Sequence, residues 1–195
     1  MKNDIILAGI GGQGILTIAT ILGAAALKEN LYLKQAEVHG MSQRGGDVQS
    51  NLRISSEPIH SDLIPLGGAD MVVSLEPMEA LRYAHYLSPE GWIITNTNPF
   101  VNMDNYPDEE KVIKELEASG NLVAFNMDEA AKELLSPRSS NMILLGAASP
   151  FISIDKEKIE EEIARFFSRK GEKIIESNIR CFRKGREFTE NILNR

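Results

Sequence analysis

Residues 4–8 (DIILA) run directly into Gly9-Ile10-Gly11-Gly12-Gln13-Gly14, and residues 14–30 then carry Ile15, Ile18, Leu22, Ala25 and Ala26 at helical spacing. A short apolar run broken at once by glycines reads as a buried strand. The small residues that follow give a helix a face able to lie close on a sheet. Strand, G-x-G-x-x-G turn and helix together restrict the chain to folds that open with a βα unit. In that context the glycines allow a tight turn and the close approach of an anion, and the helix N-terminus supplies unpaired N–H groups with positive dipole character. The same glycines serve equally if they only let the helix pack tightly on the sheet. Glu37 lies 23 residues beyond Gly14, roughly where a dinucleotide-binding fold places an acid for a ribose hydroxyl.

The rest of the chain alternates strands and helices. Residues 31–37 read as a weak second strand, and 48–54 alternate as a strand with one wet face. Residues 69–75 (ADMVVSL) read as a central strand. A helix follows over 76–87, with Pro77 tolerated in its first turn, then a turn at Ser88-Pro89-Glu90-Gly91 and a strand at 92–96. Residues 96–106 read as a loop. Asp108, Glu109 and Glu110 favour the start of a helix over 107–119, which Gly120 ends. A strand at 122–125 leads to Asn126 and Glu129, a capping arrangement for a helix over 128–135. An apolar helix is expected at 139–148, with amphipathic charged helices at 155–169 and 172–193. This order implies a three-layer α/β, Rossmann-like domain with a mostly parallel sheet and C-terminal helices. With no internal linker, a single domain over 1–195 is expected. The stripe Ile163, Phe166, Phe167, Ile174, Phe182 and Phe188 is either core of this domain or a docking surface.

A second constellation, Glu37-Val38-His39-Gly40-Met41-Ser42-Gln43-Arg44-Gly45-Gly46-Asp47, has almost no core formers. Such a segment belongs on the surface or over a cleft. Gly40, Gly45 and Gly46 permit unusual backbone angles. His39, Ser42, Gln43 and Arg44 suit recognition of an anion, with Arg44 offering a two-pronged guanidinium; the plain alternative is a solvated loop. His39 has no Ser–Asp pair nearby to complete a hydrolase triad. No partner is identifiable for His60 or His85, and Cys181, flanked by Arg180, Arg183 and Lys184, reads as a half-buried structural thiol.

Composition narrows the chemistry. One cysteine and three histidines in 195 residues exclude a disulfide framework, a self-contained iron–sulfur cluster and a zinc ribbon. A net charge of −7 argues against nucleic acid as a partner. No apolar run approaches the roughly 20 residues of a membrane span. Residues 1–6 carry a Lys and an Asp and run into a strand, so no signal peptide and a cytoplasmic location are expected.

The pair GIGGQG at 9–14 and EVHGMSQRGGDVQSNLRIS at 37–55 resembles the gamma domain of the 2-oxoacid:ferredoxin oxidoreductases, in particular that of the indolepyruvate type. Three later stretches agree with that family in order: GADMVVSLEPMEALR at 68–82, NMILLGAA at 141–148 and IESNIRCFRKG at 175–185. The resemblance implies a small subunit that completes an enzyme for coenzyme A-dependent oxidative decarboxylation of 2-oxoacids. It implies a large partner subunit carrying thiamine diphosphate, magnesium and [4Fe–4S] clusters, with ferredoxin as acceptor through the complex. This chain has no GDG followed by an NN pair to hold magnesium and diphosphate, so it is expected to bind none of these cofactors alone and to be inactive by itself. Gly9, Gly11, Gly12 and Gly14 would form the anion-binding turn with Gln13 projecting from it. The segment containing Glu37, His39, Ser42, Gln43, Arg44, Gly45 and Gly46 would lie near the active-site entrance, in contact with coenzyme A or with the partner. Read from residues alone, a stand-alone NAD(P)-linked oxidoreductase and a nucleotide- or acyl-CoA-binding sensor stay open.

Overall fold

A computed structural model describes residues 1–39, 45–101 and 105–194. Among them, strands β1 (Lys2–Ile10), β2 (Tyr32–His39), β3 (Asp47–Ser55), β4 (Ala69–Ser74), β5 (Leu87–Asn96) and β6 (Asn121–Phe125) form one sheet in the order β2-β3-β1-β4-β5-β6. β1, β4, β5 and β6 are parallel neighbours. β3 runs antiparallel to both β1 and β2. The short 40–46 connection explains the reversal, since a parallel return needs a crossover of a dozen or more residues. The sheet is therefore mixed around one reversed strand, and β2 is displaced to the edge.

The helices are α1 (Ile15–Lys28), α2 (Pro77–Tyr83), α3 (Glu109–Ala118), α4 (Met127–Glu133), α5 (Ser140–Ala148), α6 (Lys156–Phe167) and α7 (Glu172–Leu193). They cover both faces, and the alternation of side chains along β1 shows how. Ile5 and Leu7 join a core with α1, α4, α5, α6 and α7, while Ile6 and Ala8 join a second core with α2 and α3. A strand buried on both faces needs a continuous apolar run, which is what DIILA supplies. The reversed strand is fastened to β1 by the guanidinium of buried-side Arg53, which donates to both oxygens of Asp4 at 2.7 and 2.9 Å.

Two local expectations change. Residues 88–91 form no separate turn; pairing jumps from Ala69↔Leu87 to Met71↔Trp92, so they are extruded within β5. The helix expected over 76–87 stops at Tyr83 and tightens into a 3₁₀ turn over Ala84–Tyr86. The apolar stripe of the C-terminal helices divides. Ile163, Phe167 and Phe182 are buried, Phe188 stacks on Phe125 at 3.8 Å, and Phe166 and Ile174 are exposed. Cys181 is fully buried, and that burial pushes its thiol pKa up.

The long helix α7 is seated on α5 through glycines. A Cβ at Gly146 would fall 1.8 Å from the Phe182 carbonyl oxygen, and one at Gly185 would fall 1.9 Å from that of Ile143. The two backbones are in direct contact there, with no side-chain layer between them.

A cleft at the carboxyl edge of the sheet

From β1 the chain departs to one side of the sheet for β2 and β3 and to the other for β4 and β5. The crevice beyond the carboxyl ends of β1 and β4 is thus the topological switch point, where open α/β sheets bind ligands. A cleft of about 290 Å³ lies there, lined by Gly12 and Gln13 of the glycine turn, Leu75 just after β4, Asn96 at the end of β5, and Asp128, Arg138, Ser140 and Asn141. The starts of α4 and α5 border it through Asp128 and Ser140, and the turn leading into α1 through Gly12 and Gln13.

The turn has the backbone that its glycines permit. Gly12 and Gly14 have φ of +105° and +80°, a region that costs an L side chain stability. Gly14 caps α1 in the left-handed conformation, and Asn141 donates to its carbonyl at 3.3 Å. Gly9 is crowded by Ile15 and Gln13. Around Gly12 nothing lies within 4 Å of a built Cβ, so this is the open, ligand-accessible point of the turn.

Gln13 does not project from the turn as expected. Its side-chain oxygen accepts from the Ile10 amide at 2.8 Å and its amide donates to the Leu75 carbonyl at 3.4 Å. The partner of Gln13 is main chain three residues back, and this latch clamps the turn to the end of β4. Glu37 is likewise not brought to the turn. It pairs in register with Ser50, and Ser50 in turn with Leu7, so β3 separates it from β1 by two strand spacings, roughly 10 Å. Its carboxylate accepts from Gln35 at 2.6 Å. This arrangement does not supply the ribose-binding acid of a dinucleotide fold.

The structure does join the glycine turn to the second motif. The Gly11 amide donates to the Gly46 carbonyl at 2.8 Å, and the Gly45 amide donates to the Gly11 carbonyl at 3.4 Å. His39 ends β2 opposite Val48, which pairs with Gly9. Ser42, Gln43 and Arg44 lie outside the described residues.

The sequence reading missed the polar wall of the cleft. Asp128 accepts from Ser140 at 2.6 Å and from the side-chain amides of Asn96 and Asn98 at 2.8 and 2.9 Å. Burial opposes its charge, but the donors Ser140, Asn98 and Asn96 outweigh that penalty and hold the carboxyl below its usual range. Three of about four lone-pair positions are used, leaving an acceptor for a hydroxyl or amide of a ligand. Arg138 has neither ion pair nor hydrogen bond among the described residues. The polar run Asn96-Thr97-Asn98 after a strand was the available signal.

On the other side of the glycine turn, a pocket of about 120 Å³ is lined by Ile10, Gly45, Asp47, Glu76, Glu79, Arg82 and Tyr106, among others. Tyr83 donates to Asp47 at 2.7 Å, Tyr106 donates to Glu76, and Glu76 caps α2 by accepting from the Glu79 amide at 2.8 Å. Burial pushes the Glu79 pKa up, Arg82 pulls it down and the nearby Asp47 pushes it up again, leaving it at about 7. Burial, with Asp47 and Glu76 as acceptors, also raises the pKa values of Tyr83 and Tyr106.

The donor set bears on the cofactors implied by the resemblance. Among the described residues no cluster of three His, Cys, Asp or Glu side chains is arranged to hold a metal ion. The lone thiol is sealed in α7, and the cleft's carboxylate is already engaged by three donors. These residues do not fit an iron–sulfur cluster or a magnesium diphosphate. The open Gly12, the start of α1 and Arg138 do fit a phosphate-bearing group.

Comparison with known proteins agrees with the motif resemblance. The family model described as pyruvate ferredoxin/flavodoxin oxidoreductase matches residues 4–188. The chain is 37% identical to an indolepyruvate oxidoreductase subunit of Thermococcus kodakarensis, covering 98% of each. It is 30% identical to a 2-oxoglutarate synthase subunit of Methanocaldococcus jannaschii, covering 98% of this chain and 96% of that one. In fold it is similar to the gamma subunit of a keto/oxoacid ferredoxin oxidoreductase from Geobacter sulfurreducens, with TM-score 0.72, 23% identity and coverage of 97% and 99%. It is also similar to 31% of a 2-oxoglutarate:ferredoxin oxidoreductase chain from Magnetococcus marinus, solved with 2-oxoglutarate, coenzyme A and succinyl-CoA, with TM-score 0.77, 24% identity and 97% of this chain covered. The family match over residues 4–188, with 30% identity or more to the Thermococcus kodakarensis and Methanocaldococcus jannaschii subunits along nearly their whole length, places the chain in the pyruvate ferredoxin/flavodoxin oxidoreductase family.

Proposed function

We propose that this chain is the small subunit of an indolepyruvate-type 2-oxoacid:ferredoxin oxidoreductase, acting in the cytoplasm as one gamma-type domain. The observation that carries the reading is the end-to-end match, 37% identity over 98% of both chains, to a subunit of that name. In this reading the thiamine and iron–sulfur chemistry belongs to a larger partner, which passes electrons to ferredoxin. The small subunit completes the site of coenzyme A-dependent decarboxylation of an aryl 2-oxoacid. Its own contribution is to bind and orient. Gly12, the α1 N-terminus and Arg138 receive phosphate groups of coenzyme A. Asp128 accepts from a ligand hydroxyl or amide. His39, Ser42, Gln43 and Arg44, with Gly45 and Gly46, contact coenzyme A or the partner near the active-site entrance. The displaced position of Glu37 weighs against the stand-alone NAD(P)-linked alternative.

The test is reconstitution. The purified chain alone should be colourless and inactive with indolepyruvate, coenzyme A and ferredoxin. Mixing it with the purified large subunit should restore turnover, with indolepyruvate favoured over pyruvate and 2-oxoglutarate. Turnover by the isolated chain, or by the large subunit at full rate without it, sinks the reading.

A further inference from the structure

Helix α4 ends at Leu134, and Leu135 follows with φ +56°. The Leu135 amide donates to the Lys132 carbonyl at 2.9 Å and the Ser136 amide to the Ala131 carbonyl at 2.8 Å. This is the paired bonding of a Schellman C-terminus, whose left-handed position favours glycine or asparagine. A leucine there carries backbone strain, and its side chain gains no burial in return, being 89% exposed. Nothing in the chain's own packing accounts for that choice.

Leu135 lies on the rim of a groove of about 830 Å³ between the 135–139 segment, the end of α6 and the start of α7. Two further apolar side chains, Phe166 and Ile174, line it at 43% and 41% exposed. Four cations also line it, Arg138, Lys170, Lys173 and Arg180, and among the described residues no acid does. In a chain of net charge −7, that is a local reversal of sign. Arg180 is engaged with the Leu134 carbonyl at 3.0 Å and Lys170 lies over the Phe167 ring. Lys173 has neither ion pair nor side-chain hydrogen bond among the described residues, and Arg138 is shared with the neighbouring cleft, where the phosphate reading already uses it.

We propose that this groove docks an acidic segment of the large partner subunit, with a bulky apolar residue of that segment covering Leu135 and Phe166. The proposal rests on the subunit reading above and extends it to a defined surface. Apolar anchors ringed by cations fit a polypeptide, because a free phosphate would use the charges and leave Leu135, Phe166 and Ile174 wet. Opposite charge on the partner fixes register and speeds encounter, and the apolar anchors supply the burial.

The experiment measures the dissociation constant between the purified chain and the purified large subunit for wild type, Leu135→Gly and the double variant Lys170→Glu/Lys173→Glu. Leu135→Gly relieves the strain, so it should keep or raise the melting temperature while weakening the complex tenfold or more. The double variant should also lose tenfold or more at low salt. That loss should shrink near 1 M salt, where the Debye length is about 3 Å. Wild-type binding with both variants unaffected overturns the groove and leaves the subunit reading intact. Failure of the wild type to bind overturns the subunit reading itself. A melting shift from inorganic pyrophosphate that the double variant loses, with large-subunit binding unchanged, makes the groove a phosphate site and overturns the docking proposal.

Discussion

The amide of Gly11 donates to the carbonyl of Gly46 at 2.8 Å. Thirty-five residues separate the pair in sequence, yet the bond ties the glycine turn to Gly45 and Gly46 of the second motif. Each half alone admits a bland explanation: tight packing for the turn, a solvated loop for the segment. Held together at the switch point of the sheet, they contribute to two pockets: Gly12 and Gln13 line the 290 Å³ cleft, and Ile10 and Gly45 line the acidic pocket beside α2.

Gly12 and Gly14 should respond differently to alanine. Gly14→Ala combines a left-handed backbone with a Cβ 2.6 Å from the Asn141 side-chain nitrogen, whereas Gly12→Ala meets only the backbone cost. The first should lose about 1–3 kcal/mol of stability and the second about 1 kcal/mol, read from urea unfolding. A Gly14→Ala variant as stable as wild type would show that the cap conformation is not needed.

Glu79 gives a pH dependence whose sign follows from its raised pKa. Its value of about 7 in the fold, against the ordinary 4.5, means that the folded protein keeps a proton the unfolded chain releases. The protonated carboxyl contributes fully below the ordinary value. The contribution falls as pH rises through the interval between the two and is gone above about 7. Glu79→Gln should flatten this slope and exceed wild type by about 1–3 kcal/mol near pH 8. Denaturant titrations on both sides of the interval decide it; parallel curves for the two proteins would mean that burial does not raise the Glu79 pKa.

Asp128 has the opposite sign. Its carboxyl is held low by Ser140, Asn98 and Asn96 against the cost of burial, so the stability it supplies is present above the ordinary pKa of 3.8 and lost as pH falls below it. Asp128→Asn turns one acceptor into a donor facing Ser140 or the two amides. It should cost about 1–3 kcal/mol at neutral pH and abolish that acid-side loss. Equal stability of the variant at neutral pH would mean that the cluster is held by solvent instead.

Arg44 is the test of the second motif. If it grips coenzyme A, the 2-oxoacid or a partner carboxylate, Arg44→Ala should change stability by less than about 0.5 kcal/mol. It should lower kcat/KM of the reconstituted enzyme tenfold or more, about 1.4 kcal/mol in transition-state binding. Arg44→Lys should recover only part, because an ammonium lacks the planar fork. Wild-type kinetics in Arg44→Ala would withdraw the motif from the site.

Local pattern carried most of the elements. ADMVVSL and the α1 periodicity give β4 and α1 almost to the residue, and Asn126 caps α4 through the Glu129 amide at 3.0 Å as the spacing implied. Strand order was not legible, because nothing in residues 47–55 says that they insert beside β1; the short β2–β3 connection sets the reversal, but the choice of neighbour is tertiary. That insertion is why Glu37 missed the turn. Gln13 failed for another reason. A side chain beside a glycine turn reads as free, and only the folded turn presents the Ile10 amide for it to satisfy. The Asp128 cluster joins residues 96, 98, 128 and 140, each of which has an ordinary loop or capping role when read alone.

The bare-backbone crossing of α5 and α7 makes the two helices a single lever. The Gly146 and Gly185 positions each abut the other helix's main chain, so at that crossing a shift of one helix brings main chain against main chain. One arm of the lever begins at Lys173 and Ile174 in the basic groove; the other begins at Ser140 and Asn141, whose side chains hold Asp128 and the Gly14 carbonyl. A partner seated on the groove thereby bears on a helix pair whose other end forms part of the cleft wall.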